Sequence, residues 1–109
     1  MATEAGFRAL LEMSALHHVR PGTGYPTVLL TTGLNDPRVE PWQPGKIAAA
    51  LQAATSSGRP VLLRVEEGGG HSIMGATQRQ ARELLADIYA FLASGPGMPP
   101  YRPAAAGTR

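Results

Sequence analysis

Asp36 and His71 are the two side chains whose chemistry and setting stand out. Asp36 lies in Asn35-Asp36-Pro37-Arg38, and His71 follows Gly68-Gly69-Gly70 farther along the chain. A carboxylate facing an imidazole keeps one ring nitrogen protonated and stabilises the imidazolium. The other nitrogen can then take a proton from a hydroxyl and later return it. Each residue also has an ordinary role open to it. Asn-Asp-Pro suits a turn in which the aspartate bonds its own backbone, and glycines beside a histidine can serve a turn alone. Arg38 is either a solvated cation or a planar, permanently charged fork of donors aimed at an oxygen.

The remaining chemistry-bearing residues are weaker candidates. The serines are Ser14, Ser56, Ser57, Ser72 and Ser94, and none sits in a Gly-x-Ser-x-Gly turn. Ser72 comes nearest, but its next glycine, Gly75, falls one residue late. A base adjacent in sequence to its nucleophile is also poorly placed to bond it. His17 and His18 project apart on most backbones and have no carboxylate cluster beside them, so no metal site is expected. The triple glycine lacks the Gly-Lys-Ser/Thr of a phosphate-binding loop, and no cofactor is expected. Pro96 and Pro99 make a minimal PxxP of a kind common in tails.

Short elements must position Asp36 and His71. Phe7, Leu10 and Leu11 have helical spacing and predict an amphipathic helix over 4–14, followed by a loop from Ser14 to Gly24. Residues 27–32 form a β-prone run without alternation, which suits a strand covered on both faces. After a polar turn from Gly33 to Pro44, a helix is expected with Pro44 near its first turn and Ile47, Leu51 and Ala54 on one face. Residues 60–65 give a second strand. A last helix should begin at a Thr77–Gln80 capping box and carry a stripe of Ala81, Leu84, Leu85, Ile88, Phe91 and Leu92.

This order predicts an α/β fold with two parallel strands joined by a right-handed crossover. Two such strands leave open edges and want neighbours. The chain is therefore expected to be a slice of a larger sheet and to self-associate. In open α/β sheets functional residues gather in loops after the strands, which is where Asp36 and His71 fall. An acid from one such loop and a histidine from the next follow the Ser, acid, His chain order of α/β-hydrolases.

Longer stretches carry a resemblance. Tyr25-Pro26-x-Val28-Leu29-Leu30-Thr31-x-Gly33-x-Asn35-Asp36-Pro37-Arg38-Val39, then Pro41-Trp42, resembles the carboxyl-terminal segment of the prolyl oligopeptidase family of serine peptidases. The likeness continues through Lys46, residues 51–53, residues 58–65 and Gly70-His71, and into Ala90-Phe91-Leu92. It reaches back over residues 6–10 and Ser14-x-x-x-His18-Val19, so that residues 4 to 93 are covered. The resemblance implies a partial α/β-hydrolase fold: the C-terminal strand-helix-strand-helix segment of a parallel sheet, preceded by a short helix. It implies that Asp36 is the triad acid, His71 the triad base, and Arg38 a donor to a substrate carbonyl. The implied activity is hydrolysis after proline in short peptides.

That family's serine elbow, early strands, oxyanion hole, aromatic proline-pocket wall and β-propeller have no match in these residues. The expectation is a C-terminal piece, residues 1–93, of a peptidase catalytic domain, with a flexible Gly/Pro/Ala-rich tail over 94–109. It would come from a truncated, misannotated or split gene and be inactive alone. Its partners would be a serine-bearing N-terminal part and, once completed, a proline-containing peptide. A non-catalytic module that docks by strand addition on a hydrolase half is the alternative.

Composition agrees with one small globular domain. The chain has 109 residues, of which 43% are hydrophobic and 17% charged. The formal charge of +2 comes from scattered arginines plus Lys46, without the clustering that a nucleic-acid surface needs. The absence of cysteine excludes disulfides, thiolate metal sites and a cysteine nucleophile. No long apolar run and no basic-then-apolar leader are present, so a cytoplasmic chain without a membrane partner is expected.

Overall fold

The structure is a computed structural model that describes residues 3–71 and 76–95. Helix α1 spans Glu4–Met13, and Thr3 caps it by accepting the Gly6 N–H at 3.2 Å. Strand β1 is Val28–Gly33, helix α2 is Trp42–Ala54, strand β2 is Val61–Glu66 and helix α3 is Gln78–Ala93. The expected loop after α1 contains one turn of 3-10 helix, Ala15–His18. His17 and His18 diverge there: His17 Nδ1 faces the Ser14 hydroxyl at 2.7 Å, and His18 Nε2 faces the Glu12 carbonyl at 2.7 Å.

The strands are parallel, in register from Val28 opposite Val61 to Gly33 opposite Glu66. Pairing begins before them. Thr23 bridges Thr55, the Ser56 hydroxyl donates to the Gly22 carbonyl at 2.8 Å, and that of Ser57 donates to the Tyr25 carbonyl at 2.6 Å. Gly22, with φ of 76°, supplies the left-handed backbone of the turn, which side-chain-bearing residues rarely adopt.

Helix α2 starts two residues before Pro44, which therefore occupies its third position. A proline is tolerated there because first-turn N–H groups have no intrahelical acceptor. Ala48, Leu51 and Ala54 of α2 are buried with Val61 of β2, and these four are the buried apolar residues among those described. Gln52 adds a 2.8 Å bond from its side-chain amide to the Val61 carbonyl. Ile47 is only half-buried.

Helix α3 opens with the expected capping box: the Thr77 hydroxyl accepts the Gln80 N–H, and the Gln80 side chain accepts the Thr77 N–H. It is tied to the sheet by Arg64, whose Nε lies 2.6 Å from Asp87 Oδ2 while Nη1 reaches Glu66 at 3.1 Å. Its apolar stripe is incompletely covered, with Leu85 and Leu92 exposed. The expected tail over 94–109 lies outside the described residues from Pro96 onward. Among the described residues, no helix is long and apolar enough to cross a membrane.

Candidate active site

The two strands end at the loops that carry Asp36 and His71. After β1 the chain turns, with the Asp36 N–H donating to the Gly33 carbonyl at 3.3 Å. The Asp36 side chain folds back as a turn aspartate does: Oδ1 accepts the N–H groups of Arg38 at 2.8 Å and Val39 at 2.9 Å. After β2 the Gly-rich loop brings His71 across, and its Nδ1 sits 2.8 Å from Asp36 Oδ2 and 3.0 Å from Oδ1. The turn role and the imidazole-holding role thus coexist in one carboxylate.

The Asp36 side chain is only 8% exposed, whereas that of His71 is 39% exposed. Loss of water pushes the Asp36 carboxyl up, but the N–H groups of Val39 and Arg38, together with the His71 ring, outweigh this. They hold it below its ordinary value. An ionised carboxylate only accepts hydrogen bonds, so the proton between the two residues belongs to His71 Nδ1. Nε2 is then the unprotonated, basic nitrogen of the neutral ring. It has no partner among the described residues.

The two loops are also laced through their backbones. The Leu34 N–H donates to the Glu66 carbonyl and the Asn35 N–H to the Gly69 carbonyl, each at 3.0 Å. The Asn35 side-chain amide reaches the Glu67 carbonyl at 3.3 Å. A cavity of about 790 Å³ opens beside the pair, bordered by Asp36 and His71 and by the apolar side chains of Leu30, Trp42, Ile47 and Leu84. Lys46 Nζ lies 4.6 Å from the Trp42 ring centroid.

Arg38 is exposed, and its backbone rather than its guanidinium contacts Asp36. No partner for that guanidinium occurs among the described residues, and Arg38 does not border the cavity. The hydroxyls of Ser14, Ser56, Ser57 and Ser94 bond elsewhere, to His17, Gly22, Tyr25 and Phe91 respectively. Ser72 lies outside the described residues. Among the described residues, no group of three His, Asp or Glu side chains is placed to hold a metal ion.

The family model for the prolyl oligopeptidase family matches residues 2–97. The chain belongs to the prolyl oligopeptidase family. It is 36% identical over 85 residues to prolyl endopeptidase from Elizabethkingia miricola, a match covering 78% of this chain and 12% of that protein. Against prolyl oligopeptidase A from Galerina marginata the identity is 31% over 93 residues, covering 84% of this chain and 12% of that protein. Protease 2 from Moraxella lacunata is 34% identical over 68 residues, covering 62% and 10%. The chain thus spans about one-eighth of the length of the first two relatives. Membership in the prolyl oligopeptidase family implies an α/β-hydrolase setting, and the observed parallel strand pair with its helices is consistent with part of one.

The structure places Asp36 and His71 in the loops after the two strands, where the strand–loop order of the sequence puts them, and brings them into contact. The backbone lacing through Asn35 is a spatial relation that the residue types alone do not announce. Gly33 directly after the first run and Gly68 to Gly70 a little beyond the second are the available signal, yet glycine in a loop is commonplace.

Proposed function

We propose that this chain supplies the acid and general base of a prolyl-oligopeptidase-type serine peptidase, with the nucleophilic serine provided from outside these 109 residues. The observation that carries the reading is the 2.8 Å contact between His71 Nδ1 and Asp36 Oδ2, with no partner recorded for Nε2 among the described residues. In the reaction, Nε2 takes the proton of the serine hydroxyl as its oxygen bonds the substrate carbonyl carbon. Asp36 stabilises the resulting imidazolium. His71 then gives that proton to the departing amine as the peptide bond breaks, leaving an acyl-enzyme. Water hydrolyses the ester with His71 again as base.

The substrate is a short peptide cleaved after proline, in keeping with relatives named prolyl endopeptidase and prolyl oligopeptidase. Arg38, exposed beside the acid, donates to a backbone carbonyl of that peptide. Its fixed charge and planar fork suit the task.

The serine-bearing part docks along β1. The strand has β2 on one side only among the described residues, and the cavity runs beside Leu30 to Gly33. Unpaired edge groups and half-buried apolar side chains favour an added strand. The test is to co-express the chain with an Elizabethkingia prolyl endopeptidase that lacks its own matching segment, and to assay a proline anilide. Hydrolysis that disappears with His71→Gln is the expected result. A stable complex without hydrolysis would contradict the peptidase reading and leave a docking module.

A further inference from the structure

Gly33 ends β1 and is buried, three residues before Asp36. Gly69, also buried, precedes His71 by two residues. The two backbones cross here without a side chain between them. A methyl group at Gly33 would lie 2.5 Å from the Gly70 carbonyl oxygen, 2.6 Å from the Gly69 carbonyl carbon, and closer still to the Gly69 oxygen. All three obstacles are backbone atoms, so no rotamer change relieves them. On the other side, a methyl at Gly69 would meet Cγ and Cβ of Glu66 at 2.6 and 2.8 Å, and Glu66 is itself held by Arg64. The crossing is fastened by the bonds from Leu34 to Glu66 and from Asn35 to Gly69.

From this we infer that Gly33 is a positioning residue for the Asp36–His71 pair: its bare Cα lets the loop carrying His71 lie flat on the end of β1, which sets the ring on the carboxylate. The inference rests on the proposed acid–base role for its functional meaning, but its geometry can be tested without any reaction. A side chain at Gly33 must lift the Gly69–Gly70 segment, and the imidazole two residues on moves with it.

The test is a long-range ¹H–¹⁵N spectrum of the imidazoles in the full chain near pH 8, with the His71 signals assigned by their loss in His71→Gln. The native chain should show neutral His71 protonated at Nδ1. Gly33→Val should move it toward the Nε2-protonated form while backbone signals of β1, β2 and α2 keep their native dispersion. Gly24→Val is the control, since a Cβ at Gly24 meets nothing within 4 Å. If Gly33→Val does not fold, Gly33→Ala decides, with a smaller shift in the same direction expected. A folded Gly33 variant with the native His71 tautomer would overturn the inference, as would a native chain lacking the Nδ1 proton. Failure of the co-expressed pair to hydrolyse peptide, with the tautomer shift intact, would instead overturn only the peptidase reading.

Discussion

The Nδ1 atom of His71 stands 2.8 Å from Oδ2 of Asp36 across a sequence separation of 35 residues. Neither residue belongs to a helix or a strand. Their meeting depends on parallel pairing that runs in register to Gly33 and Glu66 and continues into the loops through Leu34 and Asn35. A small sheet thereby sets the spacing of two loops, and the Asp36–His71 contact is where their side chains meet.

Asp36 should make the fold acid-sensitive. Its carboxyl is held below the ordinary value of 3.8, so it binds a proton less readily folded than unfolded. A group of this kind stabilises the folded chain fully above its unfolded pKa and withdraws that stabilisation as pH falls toward and through the folded one. Urea midpoints for the native chain and for Asp36→Asn should therefore differ most above pH 4 to 5 and converge in more acidic solution. A gap that stays constant from pH 5 to pH 2 would contradict the assigned bonds.

Core and surface positions should separate clearly in stability. Leu51 is 8% exposed and packs in the small apolar cluster with Ala48, Ala54 and Val61. Leu51→Ala should cost about 2 to 3 kcal/mol, from the lost transfer energy and the cavity left behind. Leu92 is 57% exposed, and Leu92→Ala should stay within about 0.5 kcal/mol. Equal losses in urea denaturation would show that α3 is covered in solution.

These two residues also mark how much could be read before the structure. Periodicity located α2 and α3 because i, i+3 and i+4 spacing reports which face is apolar. It does not report whether anything lies on that face, and so Leu85 and Leu92 joined the predicted stripe yet remain exposed. Of Ile47, Leu51 and Ala54, placed on one face by their spacing, Leu51 and Ala54 are buried together with Ala48, while Ile47 is half-buried at the cavity. That Asp36 and His71 lie in the loops after the two strands was legible from strand–loop order. The crossing at Gly33 was not, because it depends on two backbones approaching in space and glycine carries no side chain to announce a contact.

The chain by itself should associate. β1 and β2 each have one unpaired edge among the described residues, and Leu62 and Val65 of β2 are exposed at 46% and 42%. Open edges with apolar side chains recruit further strands. Sedimentation velocity should show the weight-average mass rising with concentration. A cooperatively folding monomer across the accessible range would contradict this.

The acid–base assignment is tested most directly by a double-mutant cycle on the co-expressed, serine-completed enzyme, reading kcat for a proline anilide. Asp36→Asn leaves volume intact but no longer holds the Nδ1 proton, and should lower kcat by about 10⁴-fold. His71→Gln should lower it at least as far, and the double variant should be no worse than His71→Gln, because the acid acts only through the base. Losses that multiply, or full activity in either single variant, would contradict the account.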